Sequence, residues 1–233
     1  MKKIAGLILS AAMLAPAAAA AAGSGENLGT ALWTEHEFAV MADLARAPGY
    51  ADYRAANAGL PPAGGGIVFR KEALLSAGGD AEIVAPAEGI VAVPAGGTLE
   101  LEAAVPESGR YRLTVEYLPA ERRSAAVELS LRIDGEFPFK EAGNLPLHRK
   151  WKDDPNSRKT DGNGNDVRPP QMEVREWLRA ALSSHAGETL EFALDKGVHT
   201  LSIGSAYQDI RIREISLSPI PDIPSYEDYL QRH

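Results

Sequence analysis

Between residues 99 and 133 the apolar side chains recur at every second position, in three separate runs. Leu99, Leu101, Ala103 and Val105 alternate with Glu100, Glu102 and Ala104. Tyr111, Leu113, Val115 and Tyr117 alternate with Arg112, Thr114 and Glu116, and Val127, Leu129, Leu131 and Ile133 alternate with Glu128, Ser130 and Arg132. Successive side chains of a strand point to opposite faces, so this period places one face on a core and the other in water. Pro106-Glu107-Ser108-Gly109 and Asp134-Gly135 supply turn chemistry. Shorter runs at Ile67 to Phe69, Ile83-Val84 and Ile90 to Val93 read as further strands. So do Leu190/Phe192/Leu194, His199/Leu201/Ile203 and Ile210 to Leu217. Roughly nine short strands with no βαβ alternation predict an all-β protein, an antiparallel jelly-roll β-sandwich over residues 66–219.

The flanks read differently. Met1-Lys2-Lys3, the apolar run from Ile4 to Leu14 and the Ala-rich end before Gly23 predict a signal peptide over residues 1–22. The run falls short of the ~20 residues that span a bilayer, and no later segment is apolar enough to do so. The expected location is therefore secreted or in the cell envelope. Residues 23–65 form a helical lead-in ending in a linker. Thr34-Glu35-His36-Glu37 reads as a capping box, followed by a stripe at Phe38, Met41, Leu44 and Ala45. Tyr50, Tyr53 and Ala56 predict a second helical turn, and Pro61 to Gly66 breaks it. Residues 141–187 form an insertion. Within it Val174, Trp177, Leu178, Ala181 and Leu182 share a helical face, which predicts an inserted helix with Trp177 in the core. Residues 220–233 form a C-terminal helix or linker. The segments 48–53 and 224–229 echo each other as P-x-Y-x-D-Y.

The formal net charge is −8, and losing Lys2 and Lys3 with the leader makes the remainder more acidic. Such a chain repels phosphate backbones, which argues against nucleic acid as a partner. With no cysteine there is no disulfide and no thiol chemistry. No nucleophile elbow, zinc-protease helix or phosphate loop is present, so no enzymatic activity and no cofactor are expected. His199 has the inward parity of its strand and reads as a satisfied core-edge histidine. Asp161 to Asp166 begins like a calcium loop, but position six is Asp166 and position twelve is Met172, so a polar hairpin is expected and no metal.

The insertion holds the candidate site. A sugar offers apolar C–H faces and many hydroxyls, and its site needs an aromatic platform with planar donors and acceptors. Trp151, Asp161, Arg168 and Gln171 supply those types in a loop carried by a rigid sandwich. The competing reading buries Trp151 as a cap on the core, with the neighbouring charges docking the loop.

Several short motifs carry a family likeness. They are Ser108-Gly109-Arg110-Tyr111-Arg112-Leu113; Ile133-Asp134-Gly135 with Pro138-Phe139 and Glu141; Arg149 with Trp151; Lys159-Thr160-Asp161 with Gly164-Asn165, Arg168-Pro169 and Gln171; and Lys196 to Thr200. In these the chain resembles the galactose-binding-like module at the front of bacterial extracellular solute-binding proteins of sugar ABC transporters. More broadly it is similar to jelly-roll carbohydrate-binding modules. The likeness covers about residues 80 to 230, and the family's solute-binding body has no counterpart in them. It implies a galactose-binding-like sandwich and no particular ligand residues. Three functions follow as expectations: a non-catalytic module binding carbohydrate, a structural domain packing on a neighbouring protein module, and an accessory module of a glycoside-degrading enzyme.

Overall fold

The structure, a computed structural model, describes residues 35–120, 125–157, 159–221 and 230–231, with only the backbone of residues 35–38. The leader, Thr34 of the capping box and the second P-x-Y-x-D-Y segment lie outside these residues.

The chain begins with α1 (Glu35–Arg46) and α2 (Tyr50–Ala56), then β1 (Ile67–Phe69), α3 (Lys71–Leu75), β2 (Gly78–Gly79), β3 (Glu82–Ala85) and β4 (Ile90–Val93). The long strands follow: β5 (Thr98–Val105), β6 (Gly109–Pro119) and β7 (Val127–Ile133). After them come β8 (Leu145–Leu147), β9 (Trp151–Asp153), β10 (Lys159–Thr160), β11 (Asp166–Val167) and β12 (Gln171–Glu173). The last strands are β13 (Leu178–Ala181), β14 (Phe192–Leu194), β15 (Gly197–Ser205) and β16 (Ile210–Pro219).

Two antiparallel sheets form the sandwich. One runs β13-β6-β16-β4-β3, with β1 added to β16 and β14 to β6; the other runs β2-β5-β15-β7-β8. Consecutive long strands alternate between the sheets, β4 in one, β5 in the other, β6 back in the first, which is the jelly-roll path. The inward residues predicted by the period of two are the buried ones. Leu99, Leu101, Ala103, Tyr111, Leu113, Val115, Tyr117, Val127, Leu129 and Leu131 all belong to a single core. Asp134-Gly135 forms a two-residue hairpin turn. Both residues have positive φ, 53° and 84°, the geometry whose twist matches the strands.

The lead-in helices pack on this core. Tyr50 is buried, and Tyr50, Tyr53, Phe139 and Phe192 form one aromatic cluster, with centroids 4.9 to 5.5 Å apart. The inward stripe of α1 is Val40 and Leu44, continued by Ala47 just beyond it, while Met41 is half exposed and Ala45 is exposed. The predicted stripe was thus off by a rotation around the helix. Pro61 to Gly66 is tied down. Arg110 N donates to Pro61 O, Ala63 N to Arg110 O, and the amides of Gly64 and Gly65 to Glu107.

One predicted element is corrected. Residues 178–181 form no helix; they pair with β6, Leu178 opposite Tyr117 and Ala181 opposite Thr114. The apolar set there also fits a period of two, with Leu178, Ala180 and Leu182 facing the core. The free edge of β6 offers backbone pairing that an isolated helical turn lacks. Trp177 accordingly moves out of the core. It lies half-buried on the outer face, with the Arg213 guanidinium 4.6 Å from its ring centroid.

Candidate functional site

The predicted insertion is built as an arm. β9 pairs with β12, and beyond them β10 pairs with β11, so residues 151–173 make two short ribbons that project from the sandwich. The base of the arm is locked by one buried side chain. Arg149 donates from Nε to Ala125 O at 2.8 Å and from its two terminal nitrogens to Glu173 and Gln208. Gln208 in turn donates to Ala126 O, and Ser205 to Gln208 O. The Tyr117 hydroxyl donates to His148 O at 2.5 Å, and burial pushes its pKa up to about 12. Arg149 therefore positions the arm; its charge does not face solvent.

Trp151 opens β9 and is 39 % exposed, which sets it apart from a core cap. The register puts Trp151 opposite Glu173 and Asp153 opposite Gln171. Paired residues share a ribbon face, so Trp151, Asp153 and Gln171 line one side, with Lys152 and Met172 on the other. Two of the four predicted site residues, Trp151 and Gln171, are thus brought together. Asp161 is spent on its own turn. Its carboxylate accepts from Asn165 Nδ2 and from the amides of Asn163 and Asn165, at 2.8 to 3.0 Å. The bonds from Asn165 are the main reason its pKa is lowered. Asp161 to Asp166 forms the hairpin end expected of it, with Gly164 at φ 82°. Arg168 follows β11 and is exposed.

A second concavity escaped sequence reasoning. A cleft of about 860 Å³ lies between α2 and residues 184–188, lined by Arg54, Arg110, Glu141, Asn144, His185 and Glu188 among others. His185 Nε2 is 3.0 Å from Asn144 Oδ1, and Arg54 is paired with Glu188 at 2.8 Å. Its residues come from four separate segments of the chain. The one sequence signal pointing there was Tyr50 of the first P-x-Y-x-D-Y segment, whose amide donates to Glu141.

Three further titratable groups are engaged: His199, Glu116 and Glu214. His199 Nδ1 lies 2.6 Å from Asp134, and Nε2 lies 2.9 Å from Asp195 O. Glu116 and Glu214 sit opposite each other on the outer sheet face. Arg213 holds Glu116, while Arg70 and Arg179 hold Glu214. The hydrogen bond from Arg213 is the main reason the Glu116 pKa is lowered.

No family model and no curated protein matches this chain. Among solved structures it is similar to the C-terminal CBM6 of a marine laminarinase from Zobellia galactanivorans. That likeness has 13 % identity and a TM-score of 0.39, over 66 % of this chain and 98 % of that one. It is also similar to a family 35 carbohydrate binding module from Clostridium thermocellum, with 14 % identity and a TM-score of 0.33 over 65 % and 96 % of the two chains. A third is the Podospora anserina GH26-CBM35 β-(1,4)-mannanase, at 11 % identity and a TM-score of 0.38. This likeness covers 69 % of the present chain and 29 % of the mannanase.

Proposed function

We propose that this chain is a secreted, non-catalytic carbohydrate-binding module whose site is the Trp151 face of the arm. The observation that carries this reading is an exposed indole beside Asp153 and Gln171, on a ribbon fixed by the buried Arg149. The indole offers a sugar its apolar face, and the carboxylate and amide take its hydroxyls. A rigid base lets such a site bind without first ordering a loop. Arg168, exposed at the neighbouring ribbon, adds a planar donor. Asp161 acts in this reading by shaping the hairpin.

The non-catalytic reading is supported at three groups, His199, Glu116 and Glu214. His199 has both ring nitrogens committed, and the paired carboxylates Glu116 and Glu214 are each held by arginine. The motif likeness of residues 133–171 supports the finer assignment, the front module of a sugar-transport solute-binding protein.

The test is Trp151→Ala, read on a neutral glycan array and by denaturant unfolding. Binding should be lost, while stability falls by about 1 kcal/mol, as for a partly exposed side chain. Unaltered binding, or a stability loss of about 3–5 kcal/mol as for a buried aromatic, would remove the site from the arm.

A further inference from the structure

The outer face of the larger sheet carries a cluster of arginines around two glutamates. The register sets its side chains in rows across the strands. One row is Arg179, Glu116 and Glu214; the next is Ala181, Thr114, Ser216 and Val68. On one side of these lies Arg112 opposite Ser218, and on the other Leu118, Arg211, Ala92 and Glu82. Arg213 is the extra residue where the β16 register shifts between Ile212 and Glu214. Such a bulge re-aims a side chain out of the ladder.

The acids form the inner layer and the bases the outer one. The Glu214 side chain is 6 % exposed, yet the two guanidiniums it holds, Arg70 at 2.5 Å and Arg179 at 2.6 Å, are 67 % and 53 % exposed. Glu116 is 20 % exposed under Arg213, which is 40 % exposed and also rests on Trp177. Carboxylates and an indole therefore pin three arginine heads at the surface. Arg211 is exposed beside them, and Arg112 adds a buried Nε with no hydrogen-bond partner among the described residues. Arginine outnumbers carboxylate on this face, in a chain whose net charge is −8. The local sign is opposite to that of the whole molecule.

We infer that this face binds a carboxylate-bearing polysaccharide laid across the strands. The patch is open and extends over several rows, so it suits an extended polymer. Neighbours within a row are about 4.8 Å apart and successive rows about 6.8 Å, so anionic groups spaced along a polymer meet separate guanidiniums. A planar guanidinium pairs with a planar carboxylate through two parallel hydrogen bonds. Pinning the heads in advance removes much of the rotamer entropy that free arginines would lose on binding. This surface is separate from the arm, so the two proposals stand or fall independently.

The experiment is calorimetric titration of the whole chain at low salt with polygalacturonate, and with the same polymer fully methyl-esterified. Wild-type protein should bind the acid form, and more weakly as salt is raised. The ester should bind far more weakly than the acid form, with no dependence on salt. Arg211→Gln touches none of the ion pairs and should weaken binding about tenfold, as should Arg179→Gln. Arg179→Lys, which keeps the charge but loses the fork, should restore only part of it. Equal affinity for the ester, wild-type affinity in both glutamine variants, or no binding by folded wild-type protein overturns the inference. Tighter capture of polyglutamate than of polygalacturonate also overturns it, by assigning the face to an acidic polypeptide.

Discussion

His199 and Asp134 join the two ends of β7 and β15, with Nδ1 of the imidazole 2.6 Å from the carboxylate. Asp134 also accepts from the Thr200 amide, and His199 Nε2 meets Asp195 O. Burial pushes the His199 pKa down, but the bonds to Asp134 and Asp195 outweigh it and leave it raised. Burial likewise pushes Asp134 up, and the bonds from His199 and Thr200 outweigh that and leave it lowered. With both ring nitrogens facing acceptors, the site favours the protonated imidazole.

The pH dependence follows from those directions. A raised histidine pKa contributes stability that is full below the unfolded value, about 6.5, and is lost as pH rises through the folded value. The lowered Asp134 contributes stability that is full above its unfolded value, about 3.9, and is lost as pH falls through the folded one. The pair is therefore strongest between those limits. The melting temperature of His199→Gln should lie furthest below wild type near pH 5, and the gap should narrow by pH 8.5. A gap that widens with rising pH contradicts a charged His199.

Asp161 governs a hairpin. With its carboxylate accepting from Asn163 and Asn165, it has already satisfied donors that hold the turn. Asp161→Ala should speed amide exchange at Asn163 and Asn165 and leave global unfolding little changed. Addition of EDTA to wild-type protein should not move its melting temperature. A large drop that calcium restores would show an ion held at this turn.

The sandwich was legible because each long strand buries one face. Leu99 to Val105 and Tyr111 to Tyr117 could satisfy no other period. Segments whose two faces are both partly apolar were not legible. Leu178 to Ala181 fits a helix and a strand equally well, and pairing with β6 decided it. The Trp151 arm could be read as a non-periodic segment carrying an indole and planar polar groups, but its cohesion could not. Arg149 meets partners some 24 and 59 positions away in sequence, Glu173 and Gln208. The arginine face was hidden for the same reason. Arg70, Arg179 and Arg213 are far apart in sequence, and only strand order places them around Glu116 and Glu214.

The lead-in helices should be part of the folding unit. Phe139 is fully buried, between Tyr50 and Tyr53 of α2 and Phe192 of β14. The Tyr53 hydroxyl also accepts from the Ala193 amide at 2.8 Å. Phe139→Ala removes the ring that both tyrosines pack on and should cost about 3–5 kcal/mol in denaturant unfolding. The unfolding should remain a single transition, because α2 and the sheet share that ring. A separate early transition in wild-type protein would show that α2 melts independently.

Arg149 decides whether the arm is rigid. Its side chain is 1 % exposed and that of Glu173 is 9 %. A buried pair of this kind adds little net stability, because both charges lose water, but breaking it strands the survivor. Here the survivor would be Glu173, whose second oxygen is already buried with no hydrogen-bond partner among the described residues. Arg149→Ala should therefore cost about 3–5 kcal/mol, or detach the base of the arm so that Glu173 regains water. Arg149→Lys keeps the charge but cannot reach Ala125 O, Glu173 and Gln208 together, so it should not rescue. Limited proteolysis separates the two outcomes from a silent substitution. Cleavage within residues 151–173, absent in wild type, should appear in both variants, and Trp151-dependent glycan binding should fall with it. Arg149→Ala protein that resists cleavage and keeps wild-type stability would mean that the arm is held by its strand pairing alone.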